Sequence, residues 1–451
     1  MLNFLIIFIM QEFFWDNFDS FYFIGIGGVS MSALAKFLLS RGKTVAGSDS
    51  FNSVYTQELK ELGINVDIGD ERGKIESQVV VYTDAINEND FQLSEAKNSG
   101  KKMISRGKLL YEISLAFNKV IAVSGCHGKT TCCAMLAHIF SCANKNFCSH
   151  IGGRDIEFSN FYYRGSEYFI TEACEYKKNF LYLKPYVSVV LNSEPDHLEC
   201  YGSAENLKNA YKNFANSAQI SVAMCGDGID CTADFGYQNT AQFYAADIKS
   251  DKGCYSFNVF NRDKKLGYIE LSVYGKHNIL NALAAISVAV HEGIDFENIH
   301  CGLKNFKGVE RRFEQLGEVN EAKCIADYAH HPNEIKAAIS SVENIYDGRL
   351  FVVFQPHTYS RTKNLFEEFV EVLSGLNNLL IYKTYSAREY FDDSGSALTL
   401  SQAIHKSKYG DDLQDIFEFI SGVQRGDLVL FLGAGDIYDI AKSIIKKSNS
   451  I

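Results

Sequence analysis

The chain lacks a surplus of positive charge. Against 55 Asp and Glu stand 44 Lys and Arg, a formal charge of -11. This excludes a nucleic-acid partner, whose phosphates are neutralised by concentrated Lys and Arg. Any anionic ligand must be held locally, by backbone amides, a metal or a few arginines. A bilayer-spanning run of about 20 apolar residues is also missing. The apolar start, Leu2 to Met10, has neither a basic leader nor a small-residue cleavage site, so no stable membrane insertion is expected. Either it packs as an extra element or Met10 is the true start. The 12 cysteines show no repeated C-x-x-C spacing, and Cys132 and Cys133 are adjacent. That excludes a disulfide framework or a zinc site and leaves free thiols in a reducing cytoplasm as the expectation. No period of 20 to 50 residues and no low-complexity tract occurs, which excludes a repeat array.

What is present is soluble globular usage, 46% hydrophobic and 22% charged over 451 residues, too long for one hydrophobic core. The apolar strand Phe21 to Ile24 ends in Gly25-Ile26-Gly27-Gly28, after which Met31, Ala33, Leu34, Phe37 and Leu38 recur at helical spacing. Thr44 to Ala46, with Asp49 just beyond, and Val79 to Tyr82 read as further strands. Val120 to Val123 opens a second unit, runs into Ser124 to Thr131, and continues as a helix through Met135, Leu136 and Ile139. Tyr168 to Thr171 and Val187 to Asn192 are strands ending in polar clusters, where ligands sit in open parallel sheets. Beyond Gly308 to Phe313, strands Ile325-Ala326, Leu350 to Phe354, Leu379 to Tyr382 and Leu428 to Leu432 alternate with helical stretches. Such alternation predicts an α/β protein of parallel, helix-covered sheets. Boundaries near 118 and 313 give three domains, 1–118, 119–313 and 314–451.

The strongest chemical signal is Gly125 to Thr131. A glycine turn feeding a helix aims backbone amides at phosphate, Lys129 adds a mobile positive charge, and Thr130 can hold Mg²⁺. The loop is a compressed form of G-x-x-x-x-G-K-[ST], with Val123 five positions before Gly128. The turn Gly25 to Ser32, taken alone, is either a tight strand–helix connection or a dinucleotide fingerprint. In the second case Asp49 is the ribose acceptor and Ser30 stands where the third glycine belongs. Glu172-Ala173-Cys174-Glu175 and Asn192-Ser193-Glu194-Pro195-Asp196-His197 place hard ligands at strand ends, suited to Mg²⁺ beside a nucleotide. Arg311-Arg312 is a charged hinge or a phosphate-seeking arginine. The paired histidines of Asp327-Tyr328-Ala329-His330-His331 have no third metal ligand at useful spacing. Arg361, after Phe354-Gln355-Pro356-His357-Thr358, offers a planar fork suited to a carboxylate.

Taken together these segments resemble the Mur ligase family. Gly125 to Thr131 is similar to its G-T-H-G-K-T-T loop with cysteine at 126, and Gly25 to Met31 to its G-I-G-G-x-G-M turn with serine at 30. Further likenesses are to E-A-D-E, N-x-E-x-D-H, G-x-H-N-x-x-N, G-V-x-R-R-F, F-Q-P-H-R-[YF]-[ST]-R-T (threonine at 358), S-A-R-E and G-A-G-D-I, spanning about residues 20 to 440. The resemblance implies a Rossmann-like UDP-binding domain, a central P-loop ATPase-type domain and a Rossmann-like amino-acid domain. It implies ATP at Gly125, Cys126, His127, Gly128, Lys129, Thr130, Thr131, Asn278, Asn281, Arg312 and Asp327. UDP-sugar falls to Gly25, Gly27, Gly28, Ser30, Met31, Asp49 and Arg106, and the amino acid to Tyr328, His330 and Arg361. Two Mg²⁺ ions are expected, at Thr130 with Glu172 and at His197, and catalysis at Lys129, Glu172, His197, His330 and Arg361.

The implied reaction is ATP-dependent joining of L-alanine to the carboxylate of UDP-N-acetylmuramate through an acyl phosphate, in the cytoplasm, with a homodimer allowed. A tripeptide-adding member of the same family is the near alternative. A nicotinamide-dependent dehydrogenase would explain Gly25 to Asp49 but leave Gly128 to Thr131 idle, and a nucleotide sensor would leave Arg361 and His330 idle.

Overall fold

The computed structural model describes residues 13–448, except 70–71, 84–85, 87–89, 195–197, 252, 343–345, 347 and 388. His197, one of the expected metal ligands, therefore lies outside the described residues, as do Asp196 and Arg388.

Three sheets carry the chain. The first consists of β1 (Ser20–Ile24), β2 (Thr44–Asp49), β3 (Asn65–Ile68), β4 (Val79–Tyr82) and β5 (Lys102–Ser105), all parallel in the order β3-β2-β1-β4-β5. Strand order reverses between β1 and β4, so the turn leaving β1 opens at the switch point where such sheets bind ligands. Phe21, Phe23 and Ile24 are buried, as expected of a parallel strand covered on both faces. Asp49 is the last residue of β2 rather than a residue beyond it.

The second sheet comprises β6 (Lys119–Ser124), β7 (Phe147–Asp155), β8 (Ser159–Tyr163), β9 (Tyr168–Glu172), β10 (Val187–Val190), β11 (Ile220–Met224), β12 (Ala233–Gly236), β13 (Phe243–Asp251), β14 (Cys254–Asn261) and β15 (Lys264–Tyr274). Its order is β15-β14-β13-β12-β11-β10-β6-β9-β7-β8. The decisive feature is that β6 lies between β9 and β10, parallel to both. The third sheet holds β16 (Glu314–Val319), β17 (Ala322–Asp327), β18 (Leu350–Phe354), β19 (Leu379–Tyr382), β20 (Ser407–Gly410) and β21 (Leu428–Leu432), in the order β16-β17-β21-β18-β19-β20. It is parallel apart from the β16–β17 hairpin.

By internal contacts the chain divides into two units. One contains the chain to Asp247 with Phe257–Ile269 and Ile279–Phe306; the other contains Ile248–Ser256, Glu270–Asn278 and Lys307 onward. Within the first, helix Val29–Ser40 follows β1 and also packs on β7 and β8, with Phe37 in edge contact with Phe161. Among the described residues no helix is long and apolar enough to cross a membrane.

One cysteine expectation is corrected. Cys142 and Cys301 form a disulfide, while ten other cysteines are free thiols. Spacing could not reveal the pair, because 159 residues separate its members. It arises where helix Lys129–Cys142 meets helix Phe296–Asn305 at the closest backbone approach, marked by Gly302. A Cβ on Gly302 would lie 2.4 Å from the Ile139 Cα. Gly302→Ala is therefore expected to lower stability by about 1–3 kcal/mol, read as a lower thermal midpoint; an unchanged midpoint would contradict this packing.

Candidate functional site

The phosphate loop leaves β6 between two strand ends. Gly128, at φ +85°, caps helix Lys129–Cys142, a conformation that favours glycine. Space demands it as well, since a Cβ there would lie 2.3 Å from Asn281 Oδ1. The helix therefore begins with its amides turned toward the loop, the arrangement that binds anions.

Lys129 lies across this loop. Its Nζ donates to the carbonyls of Gly125 (2.5 Å) and Cys126 (3.3 Å) and to both carboxylate oxygens of Glu175, at 3.0 and 3.1 Å. Burial alone would lower the Lys129 pKa, but the Glu175 carboxylate outweighs burial and raises it, so the ammonium stays charged. Glu175 is 2% exposed and its carbonyl accepts from Tyr201 Oη at 2.6 Å. Glu175 thus serves as the partner of Lys129, a role distinct from the metal-ligand expectation for its segment and invisible in one dimension because the two lie on different strand ends.

Glu172 ends β9 beside the loop, and its Oε1 accepts from the Gly152 amide at 2.7 Å. A Cβ at 152 would sit 2.4 Å from either carboxylate oxygen, so the bare glycine makes room for the group. Glu172 and the Thr130 hydroxyl are hard oxygen donors of the kind Mg²⁺ takes, so the donor set fits that ion.

On the other flank the strand stops at Val190, short of the expected Asn192. Asn192 turns back and brackets His127, accepting from its amide and donating to its carbonyl, each at 3.1 Å. Bracing the loop is a role for Asn192 that its place in a ligand-rich segment does not reveal. Cys126 donates through Sγ to the Glu194 carbonyl at 2.8 Å.

At the N-terminal turn, Gly25 and Ile26 donate to the Ser48 carbonyl at 2.8 and 3.0 Å. The Gly27 amide donates to Asp49 Oδ2 at 2.9 Å. Gly28 is the exposed member of the turn, whereas the Met31 side chain is buried in the core, 2% exposed. Arg106 Nη1 reaches Ser30 Oγ at 3.4 Å, so these two expected sugar-site residues meet.

In the second unit the ends of β17, β18 and β21 collect the remaining groups. Asp327 accepts from the amides of Phe313 and Ala329, both at 2.8 Å. Burial pushes its carboxyl up to about 6, with Arg312 pulling the other way. Arg312 lies 5.1 Å over the Tyr328 ring. His330 Nδ1 donates to the Tyr328 carbonyl at 2.9 Å, and burial lowers its pKa against the pull of Glu334. Arg361 Nη1 is 3.1 Å from His357 Nδ1. Gln355, 1% exposed, donates to Asp436 Oδ1 at 2.7 Å and accepts from the Ile437 amide at 3.1 Å. Asn278 donates to the Tyr274 carbonyl at 2.6 Å.

Three family profiles match the chain: "Mur ligase family, catalytic domain" over residues 20–118, "Mur ligase middle domain" over 123–289 and "Mur ligase, glutamate ligase domain" over 311–435. The UDP-N-acetylmuramate--L-alanine ligase of Clostridium acetobutylicum is 40% identical, across 94% of this chain and 97% of its own. That of Caldanaerobacter subterraneus is 37% identical, across 96% and 98%. Among solved structures, the UDP-N-acetylmuramate-alanine ligase of Thermotoga maritima superposes with a TM-score of 0.84 at 25% identity, covering 96% of this chain and 99% of that one. A murein peptide ligase of Psychrobacter arcticus shares the fold, with a TM-score of 0.72 at 21% identity. The three matched segments together run from residue 20 to 435, the relatives are 37–40% identical over more than nine-tenths of the chain, and the chain belongs to the Mur ligase family.

Proposed function

We propose that this protein is a ligase that joins L-alanine to the carboxylate of UDP-N-acetylmuramate at the expense of ATP, giving ADP and phosphate, in peptidoglycan precursor synthesis. The observation that carries the reading is the charged lysine inside a phosphate loop, with Glu172 on one flank and Asn192 on the other. The relatives at 37–40% identity are UDP-N-acetylmuramate--L-alanine ligases, which supports the alanine-adding activity over the tripeptide-adding alternative.

A carboxylate and an amine do not condense in water, so the carboxylate must first be activated. Its oxygen attacks the γ-phosphorus of ATP, the bond to the β-γ bridging oxygen breaks, and ADP leaves. The loop amides and Lys129 stabilise the charge spread over the transferred group. Mg²⁺ held by Thr130 and Glu172, with a second ion at His197, would neutralise the phosphate oxygens. The acyl phosphate is then attacked by the amine of alanine, and phosphate leaves. Arg361 is assigned to the alanine carboxylate, Tyr328 to the same pocket, Asn278, Asn281, Arg312 and Asp327 to ATP, and the turn Gly25 to Met31, Asp49 and Arg106 to the UDP-sugar.

The attacking amine must shed a proton. His330 suits that role, because its Nδ1–H is committed to the Tyr328 carbonyl and the Nε2 lone pair is left as the base. With its pKa lowered by burial, the imidazole is neutral at pH 7.

Three outcomes test the reading. Phosphate release from ATP and Mg²⁺ should require both UDP-N-acetylmuramate and L-alanine; release with neither, or with tripeptide in place of alanine, would redirect it. Asn192→Ala removes two hydrogen bonds on the loop at about 1 kcal/mol each, so the KM for ATP should rise by up to about thirtyfold while that for alanine holds. His330→Ala should lower kcat about a hundredfold and abolish an acidic limb lying below pH 6.5, where the wild-type base becomes protonated. An unchanged pH profile would remove His330 from the mechanism.

A further inference from the structure

His150 stands on β7, outside every segment that the sequence singled out, and is 3% exposed. Its Nε2 is 2.9 Å from Ser30 Oγ and its Nδ1 is 2.9 Å from Thr171 Oγ1. Two further bonds extend the series. Arg106 Nη1 donates to Ser30 Oγ at 3.4 Å, and Thr171 Oγ1 donates to the Glu172 carbonyl at 3.2 Å.

The ends of this chain fix its direction. A guanidinium can only donate and a carbonyl can only accept. Thr171 gives its one proton to the Glu172 carbonyl and so accepts from Nδ1, whereas Ser30 accepts from Arg106 and keeps its own proton to donate. Ser30 donates to Nε2, and Nδ1–H donates to Thr171. Of the two neutral tautomers, only the one carrying its proton on Nδ1 completes the series. Burial, with Arg106 acting in the same direction, pushes the His150 pKa down to about 3, in keeping with that neutral form.

We infer that His150 is a positioning residue for the sugar-nucleotide half of the site. By accepting the Ser30 hydroxyl's hydrogen bond at Nε2 it turns the Ser30 lone pairs toward Arg106 and so sets the guanidinium beside the turn that leaves β1. The inference rests on the assignment of Gly25 to Met31 and Arg106 to the UDP-sugar. The series ends on the backbone carbonyl of Glu172, not on its carboxylate, which is held separately by the Gly152 amide. Loss of His150 therefore disturbs sugar-nucleotide binding and spares the ATP side.

The test is titration of the wild type, His150→Leu and Ser30→Ala with UDP and with UDP-N-acetylmuramate, beside steady-state kinetics. Each variant should weaken UDP-N-acetylmuramate binding and raise its KM by about five- to tenfold, with KM for ATP, Mg²⁺ dependence and kcat within about twofold. The double variant should lose no more than either single one, because both break the same series. Ser30→Ala, which removes one half-buried oxygen, keeps the test open if His150→Leu does not fold. Unchanged binding in a folded variant, or a KM for ATP rising in step, overturns the inference alone. A wild type that binds neither UDP nor UDP-N-acetylmuramate overturns the function reading and this inference with it.

Discussion

The Lys129–Glu175 ion pair is the interaction around which the central sheet is arranged. An ammonium with its side chain 14% exposed cannot remain charged without a partner, and here the partner's side chain is 3% exposed. Breaking such a buried pair from one side costs about 3–5 kcal/mol, because the remaining charge is stranded. The pair exists only because β9 lies parallel to β6, in a register that sets Val123 opposite Glu172. That register delivers the segment from Glu172 to Glu175 to the edge where the phosphate loop begins. The carbonyls of Gly125 and Cys126 take the lysine's remaining protons, so the loop's own shape depends on the same cation.

The second and third sheets solve the same problem with different groups. Where β6 meets Asn192, an amide side chain completes the loop's backbone hydrogen bonds. Where β17, β18 and β21 end together, Asp327 caps the Phe313 and Ala329 amides, and Gln355 closes onto Asp436 and the Ile437 amide. Polar loops at carboxyl strand ends need such bracing, since unpaired buried backbone groups are costly. The bracing residues are as fixed in position as the groups assigned to substrate.

The strands Val79–Tyr82, Leu350–Phe354, Leu379–Tyr382 and Leu428–Leu432 were legible to the residue, because buried parallel strands are short apolar runs bounded by polar turns. Both glycine loops were legible for the same reason of local chemistry. What depends on strand order was not. Glu175 facing Lys129, Asn192 bracketing His127 and the Cys142–Cys301 bond join segments 46, 65 and 159 residues apart. His150 carried no signal whatever, being one histidine in an apolar run whose meaning comes from Ser30, 120 residues earlier.

Three of the positions that depart from the family pattern share one feature. Ser30 pairs with His150, Cys126 reaches the Glu194 carbonyl, and Thr358 donates to Glu389 Oε1 at 2.6 Å. In each case the departing side chain is absorbed by a partner within its own unit. At 358 the partner is decisive. Glu389 also accepts from the Ser360 amide and hydroxyl, so its carboxylate is already held in place by neutral donors. An arginine at 358 would meet that fixed carboxylate first and form a charge-assisted pair with it. It would then have little pull left for an amino-acid carboxylate. Threonine leaves Arg361 as the guanidinium proposed for that carboxylate, and the turn that leads into its helix is closed by hydrogen bonds to Glu389 rather than by a second cation.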